Sequence, residues 1–139
     1  MGISLTANNS KYDFSMGYGG FRNLRVNIAK AYDPSFGEHY ANLIHCYTVK
    51  QFEEHDKVAN LMISKFPEED EDIFDFLYQS DCEGRINYRT CGKIYNLIKD
   101  KDFSNMVFMY STLSDGKDYE HLKAFLKECY SHRRNAYWR

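Results

Sequence analysis

The side chains best suited to chemistry in this chain are its four cysteines and five histidines. Cys129 and His132 stand three residues apart in a stretch with helical spacing, which brings two metal-ligating types onto one helix face. Cys82 and Cys91 would complete a Cys3His tetrahedron, the arrangement a structural zinc ion takes. No CxxC pair accompanies them, and the step from Cys82 to Cys91 is not that of a zinc knuckle. Separate buried thiols are therefore the favoured reading, with Cys82, Cys91, Cys129 and His132 the candidate zinc ligands. His39, His45, Cys46 and His55 form a second candidate group, with His39 and Cys46 two helical turns apart. No basic-then-apolar leader opens the chain, so a reducing compartment is expected and disulfides are not.

Carboxylates make the other concentration. Residues 51–83 hold eleven acidic and two basic side chains, whereas the whole chain balances 20 Asp+Glu against 18 Lys+Arg. Glu68, Glu69, Asp70, Glu71 and Asp72 follow Pro67 and fall in the first turns of an expected helix, where negative charge suits the helix dipole. Gathered on one face, this segment would give a strongly polarised molecule able to steer association with a basic partner. A solvated helix face is the alternative.

Enzymatic signatures are missing: no HExxH, GxSxG, Walker or HxE…PCxxC pattern occurs. Gly17, Gly19 and Gly20 lie between an expected strand and helix but lack the Lys-Ser/Thr of a phosphate loop, so a tight turn is expected there. Residues 79–90 imitate a calcium loop around Gly84. Gln79 and Thr90 occupy the positions where calcium needs carboxylates, so a helix–loop–helix without an ion is expected. Arg133, Arg134, Tyr137, Trp138 and Arg139 form a basic-aromatic end that suits a protein interface better than a nucleic acid, given the overall net charge of −2.

The elements that must position these residues follow from periodicity. Alternation over residues 3–16, with Asn8-Asn9-Ser10 as turn chemistry, predicts a β-hairpin. Helices are expected over about 21–32, ended by Asp33-Pro34, then 35–47, 50–65, one opening at Pro67, 88–98 and 115–133. In the third, Phe52, Ala59, Met62 and Ile63 mark the expected buried face. Residues 103–111 fit a strand or a helical turn equally. The tail 136–139 would add a strand against the hairpin. The expected fold is α+β: a single domain over residues 1–139, mostly helical, with five or six helices and a small antiparallel sheet from the N-terminal hairpin and the C-terminal strand. A chain of 139 residues with 43% hydrophobic and 27% charged residues can bury such a core, and no apolar run approaches a membrane span.

MGYGGFRNLR at 16–25 with FGEHY at 36–40, FLYQSDCEGRINYRTCGKIYNLIKD at 76–100 and FLKECYSHRRNAYW at 125–138 together resemble an uncharacterised family of small proteins from phages and prophages of Gram-positive bacteria. The SDCEG stretch with its downstream cysteine is the most specific part. The resemblance implies a bacterial cytoplasm, a binding role and no active site. Small phage proteins of this size and acidity include inhibitors of host defence, among them anti-CRISPR proteins that block the type II RNA-guided nuclease, and some of that broad class bind zinc. Under this reading Glu68, Glu69, Asp70, Glu71 and Asp72 engage a basic groove on a CRISPR effector nuclease. Neither membrane nor direct nucleic-acid binding is expected. A zinc-stabilised regulatory or structural module is the alternative, and an enzyme using a Cys-His pair is a third.

Overall fold

The computed structural model describes residues 2–102 and 117–139. The hairpin forms as the alternation predicts. Strands β1 (Gly2–Ala7) and β2 (Phe14–Gly17) pair antiparallel with Ile3 opposite Met16 and Leu5 opposite Phe14. These four side chains and Ala7 are buried, so one face of the hairpin is wholly committed to the core. Asn9 turns the chain with φ 57°, a left-handed conformation that asparagine tolerates better than most residues.

The C-terminal strand β4 (Ala136–Trp138) pairs with β1, placing Trp138 opposite Leu5. A further strand, β3 (Gly84–Ile86), pairs with the free side of β4, and the antiparallel sheet runs β2-β1-β4-β3. Three residues are too few to show a period, and the partner of β3 lies some fifty residues away, so no local signal announced it.

Helix α1 (Tyr18–Tyr32) starts directly after β2, three residues before its expected start, and takes Gly19 and Gly20 into its first turn. Asp33 then serves both neighbours. Its extended backbone ends α1, and its carboxylate accepts the Phe36 N–H at 2.8 Å to cap α2 (Pro34–Ala41), with Pro34 in the first turn. α2 ends earlier than expected, in a 3-10 turn over Asn42–His45. Thr48 and Gln51 close a capping box on α3 (Val49–Ile63). A 3-10 turn, Glu68–Asp70, precedes α4 (Glu71–Tyr78). Asn87 caps α5 (Tyr88–Ile98) by accepting from the Thr90 N–H at 2.9 Å. α6 (Lys117–Ser131) falls within the expected last helix. The reading of 103–111 lies outside the described residues.

The helices and sheet share one core. At its centre Trp138, 1% exposed, sets its indole 5.4 Å from the Phe21 ring and 5.6 Å from Phe76, and its Nε1–H donates to the Ser80 carbonyl at 3.0 Å. The expected basic-aromatic end is thus divided by the strand's alternation: Trp138 points into the core while Tyr137 is exposed.

Burial also sets the alkaline limit of this fold. The Tyr40 phenol, donating to the Leu77 carbonyl at 2.7 Å, is pushed up to about 12 by desolvation. Hydrogen bonding to Cys129 and burial raise the Cys91 thiol. Folded pKa values above the unfolded ones mean that the native state holds these protons after the unfolded chain has lost them. Their stabilisation is complete below about pH 9 and is lost as pH rises through the raised values. The urea midpoint should therefore hold from pH 7 to 8.5 and fall between about pH 9 and 12; a midpoint independent of pH up to 11 would contradict this.

A candidate partner-binding groove

The acidic run after Pro67 divides into two kinds of residue. Asp70 accepts the Tyr32 hydroxyl at 2.7 Å, tying the 3-10 turn to α1. Asp72 accepts the Thr90 hydroxyl at 2.7 Å and pairs with Lys93 at 2.9 Å, tying α4 to α5. Lys93 also donates to the Glu69 carbonyl. These two aspartates tie elements of the fold together. Glu68, Glu69 and Glu71 remain exposed.

The free carboxylates gain a setting from α3. This 15-residue helix buries only His55 and Ala59, and Phe52, expected in the core, is 43% exposed. Between α3 and α4 lies a groove of about 590 Å³. Its floor is apolar, made by Leu43, Phe52, Ala59, Ile63, Phe74 and Tyr78. Asp56 stands on the α3 side and Glu71 and Asp75 on the α4 side, and no Lys or Arg lines it. Tyr47, just before α3, and Val49, its first residue, are also 78% and 74% exposed. Apolar surface rimmed by a single sign of charge is the composition of a recognition site rather than of an ordinary solvated face.

Two histidines hold α3 in place. His39 and His55 stack with ring centroids 4.0 Å apart, and each Nε2–H donates to the other's backbone carbonyl at 2.9 Å. Carbonyls only accept, so both Nε2 atoms carry hydrogen in this pair. The second candidate metal group is thereby corrected in its use: two of its histidines form a structural clasp between α2 and α3.

The four candidate zinc ligands are not brought together. Cys91 and Cys129 meet inside the α5–α6 interface, both 0% exposed, whereas Cys82 stands on the exposed turn after α4. His132 closes the last turn of α6, its N–H donating to the Glu128 carbonyl at 2.9 Å, but its side chain is exposed whereas Cys129 is buried. Among the described residues no three His, Cys, Asp or Glu side chains converge as a metal site. The calcium-like loop uses its positions otherwise. Gln79 donates to the Arg85 carbonyl at 2.9 Å and accepts its N–H at 3.1 Å, closing the turn as a backbone pair would, and Thr90 serves Asp72.

The thiols should sort by position. Under native conditions iodoacetamide should modify Cys82 first and Cys46 next, while Cys91 and Cys129 react only in denaturant, because they are buried and the Cys91 proton is held tightly. Peptide-level mass spectrometry checks this order; rapid native labelling of Cys129 would contradict it.

Comparison with family models, curated proteins and solved structures finds no match to this chain. No helix among the described residues is long and apolar enough to cross a membrane. Asp56 and Asp75 belong to the acidic segment, but their place in the sequence does not single them out. The available signal was α3 itself, whose Val49, Val58 and Leu61 lie off the face marked by Ala59, more apolar surface than one buried stripe requires.

Proposed function

We propose that this protein is a binding protein, with no catalytic role, whose α3–α4 groove captures a basic amphipathic helix of a partner protein. The single observation that carries the proposal is an apolar floor whose charged lining residues, Asp56, Glu71 and Asp75, are all acidic. A helix laying an apolar stripe on Phe52, Ile63 and Phe74 would set its flanking Lys or Arg against those carboxylates, the arrangement of helix-in-groove recognition. Glu68, Glu69, Glu53 and Glu54, all exposed, extend the negative field and would speed encounter with a cationic partner. The resemblance to small phage proteins supports a host defence protein as the partner, a type II RNA-guided nuclease being the one whose basic, nucleic-acid-holding surface suits this charge. Occupying that surface inhibits it by excluding nucleic acid.

The test uses an amphipathic Lys/Leu helical peptide and its Glu/Leu counterpart, titrated calorimetrically. The Lys/Leu peptide should bind and the Glu/Leu peptide should not. Replacing Asp56, Glu71 and Asp75 together by Lys should weaken binding by at least about tenfold, with a correctly folded variant by circular dichroism. Equal binding of both peptides, or full affinity in the reversed variant, would overturn the groove. Purified nuclease tested alongside separates the partner from the site: peptide binding without inhibition of cleavage retains the groove and removes this partner.

A further inference from the structure

The sheet β2-β1-β4-β3 commits one of its faces to the core. Alternation sends Leu5, Phe14, Ile86 and Trp138 inward, so Ser4, Thr6, Ser15, Arg85 and Tyr137 take the opposite face. None of these five is buried, and Tyr137 is 43% exposed. Register sets them side by side. Tyr137, on the inner strand β4, stands between Thr6 of β1 and Arg85 of β3. In the next row Ser4 exchanges backbone hydrogen bonds with Arg139 at 2.9 and 3.3 Å, and its hydroxyl shares a 2.8 Å hydrogen bond with that of Ser15. Arg139 thus continues the ladder two residues beyond Tyr137, on the same face, and is exposed. An aromatic ring on open surface therefore has one guanidinium across the strands and another along its own strand, among small hydroxyl side chains.

The net charge of −2, which argued against a nucleic-acid partner, averages two unlike surfaces. Residues 2–17, 83–87 and 132–139, which make the sheet and its flanks, hold Lys11, Arg85, Arg133, Arg134 and Arg139 against Asp13 and Glu83. This reverses the balance across α3 and α4. Asp13 is engaged by the Ala7 N–H at 3.2 Å, while Glu83, exposed just ahead of β3, opposes an anion at the sheet's edge. Arg85 also borders a polar cavity lined by Asp72 and Asp75. Among the described residues, however, no carboxylate comes within ion-pair distance of Arg85 or Arg139.

We propose that this open sheet face binds single-stranded nucleic acid, one base stacking on the Tyr137 ring while Arg85 and Arg139 meet the neighbouring phosphates. An antiparallel sheet with an exposed aromatic ring on an inner strand offers unpaired bases a stacking platform, and nearby cations track the backbone. The charge complements a polyanion, and the ring selects one whose bases are free to stack. A duplex, with its bases already stacked, and an acidic protein, with none, would use the charges alone.

The test is fluorescence anisotropy of labelled oligothymidylate and oligouridylate, each of about ten nucleotides, titrated with the intact protein. Saturable binding of at least one is expected, and a preference between them assigns the sugar. The affinity should fall with salt at a slope of about −1.4 in log K against log concentration, for two phosphates neutralised, and Arg139→Gln should make it shallower by about 0.7. Tyr137→Ala should weaken binding about tenfold and Tyr137→Phe should leave it unchanged, both folded by circular dichroism because the side chain is exposed. Should Tyr137→Ala fail to fold, the Arg139→Gln slope and the preference for single strand over duplex decide. Equal affinity for an oligothymidylate–oligoadenylate duplex or for polyglutamate, unchanged affinity in folded Tyr137→Ala, or no saturable binding overturns the proposal. Tyr137, Arg85 and Arg139 do not line the α3–α4 groove, so the outcome is independent of the peptide titration.

Discussion

Trp138→Ala is expected to lower unfolding free energy by about 3–5 kcal/mol, the range for deleting a large buried aromatic side chain. The residue is one from the C-terminus, where most chains tolerate truncation, yet three consequences of its burial argue otherwise. Its ring fills the space between Phe21 and Phe76, so removal leaves a cavity at the junction of sheet and helices. Its Nε1–H satisfies the Ser80 carbonyl, which also accepts from Arg25. Its face lies 5.6 Å from the Arg25 guanidinium, so the buried cation loses one of its three aromatic neighbours. Domains of this kind are stable by about 5–15 kcal/mol, and the variant should therefore be partly unfolded at 37 °C. Urea denaturation monitored by circular dichroism measures the loss; a cost below about 1 kcal/mol would show that the tail does not complete the core.

Gly37→Ala should destabilise although alanine is the better helix former by about 1 kcal/mol. Gly37 sits where α2 crosses α1, and a Cβ there would stand 2.4 Å from the Cα and 2.6 Å from the N of Lys30. Backbone atoms of a packed helix cannot step aside singly, so the two helices must separate along their contact, at about 1–3 kcal/mol or more after the propensity gain. Gly92→Ala is the matched comparison. Its Cβ would stand 2.4 Å from the Tyr130 ring, which must swing aside as a whole but is half-exposed and belongs to a side chain, so the substitution should cost clearly less than Gly37→Ala. Equal effects of the two substitutions, measured as shifts in urea midpoint, would contradict the close-crossing argument.

Much of the architecture was legible because local chemistry and tertiary need agree. The hairpin could be read from alternation, α2 from Asp33-Pro34, α5 from its apolar stripe, and the sheet's closure from a C-terminal strand with one face for the core. The failures have physical causes. β3 is too short to carry a period, and spacing alone does not show that His132, at the exposed end of α6, faces solvent while Cys129 is buried. α3 misled for a more informative reason. Spacing alone assigns its apolar residues to the core, but among the described residues this helix buries only His55 and Ala59, and Phe52 is left at the groove. In the acidic run, sequence alone could not separate Asp70 and Asp72 from their exposed neighbours, because their partners Tyr32, Thr90 and Lys93 come from distant helices.

The groove is tested most directly by mapping backbone amide shifts of isotopically labelled protein during titration with the Lys/Leu peptide. Saturable changes are expected, centred on Phe52, Asp56, Ile63, Glu71, Phe74 and Asp75, with α5, α6 and the sheet unmoved. Shifts confined to the sheet or to α6, or no saturable shift at millimolar peptide, would contradict it.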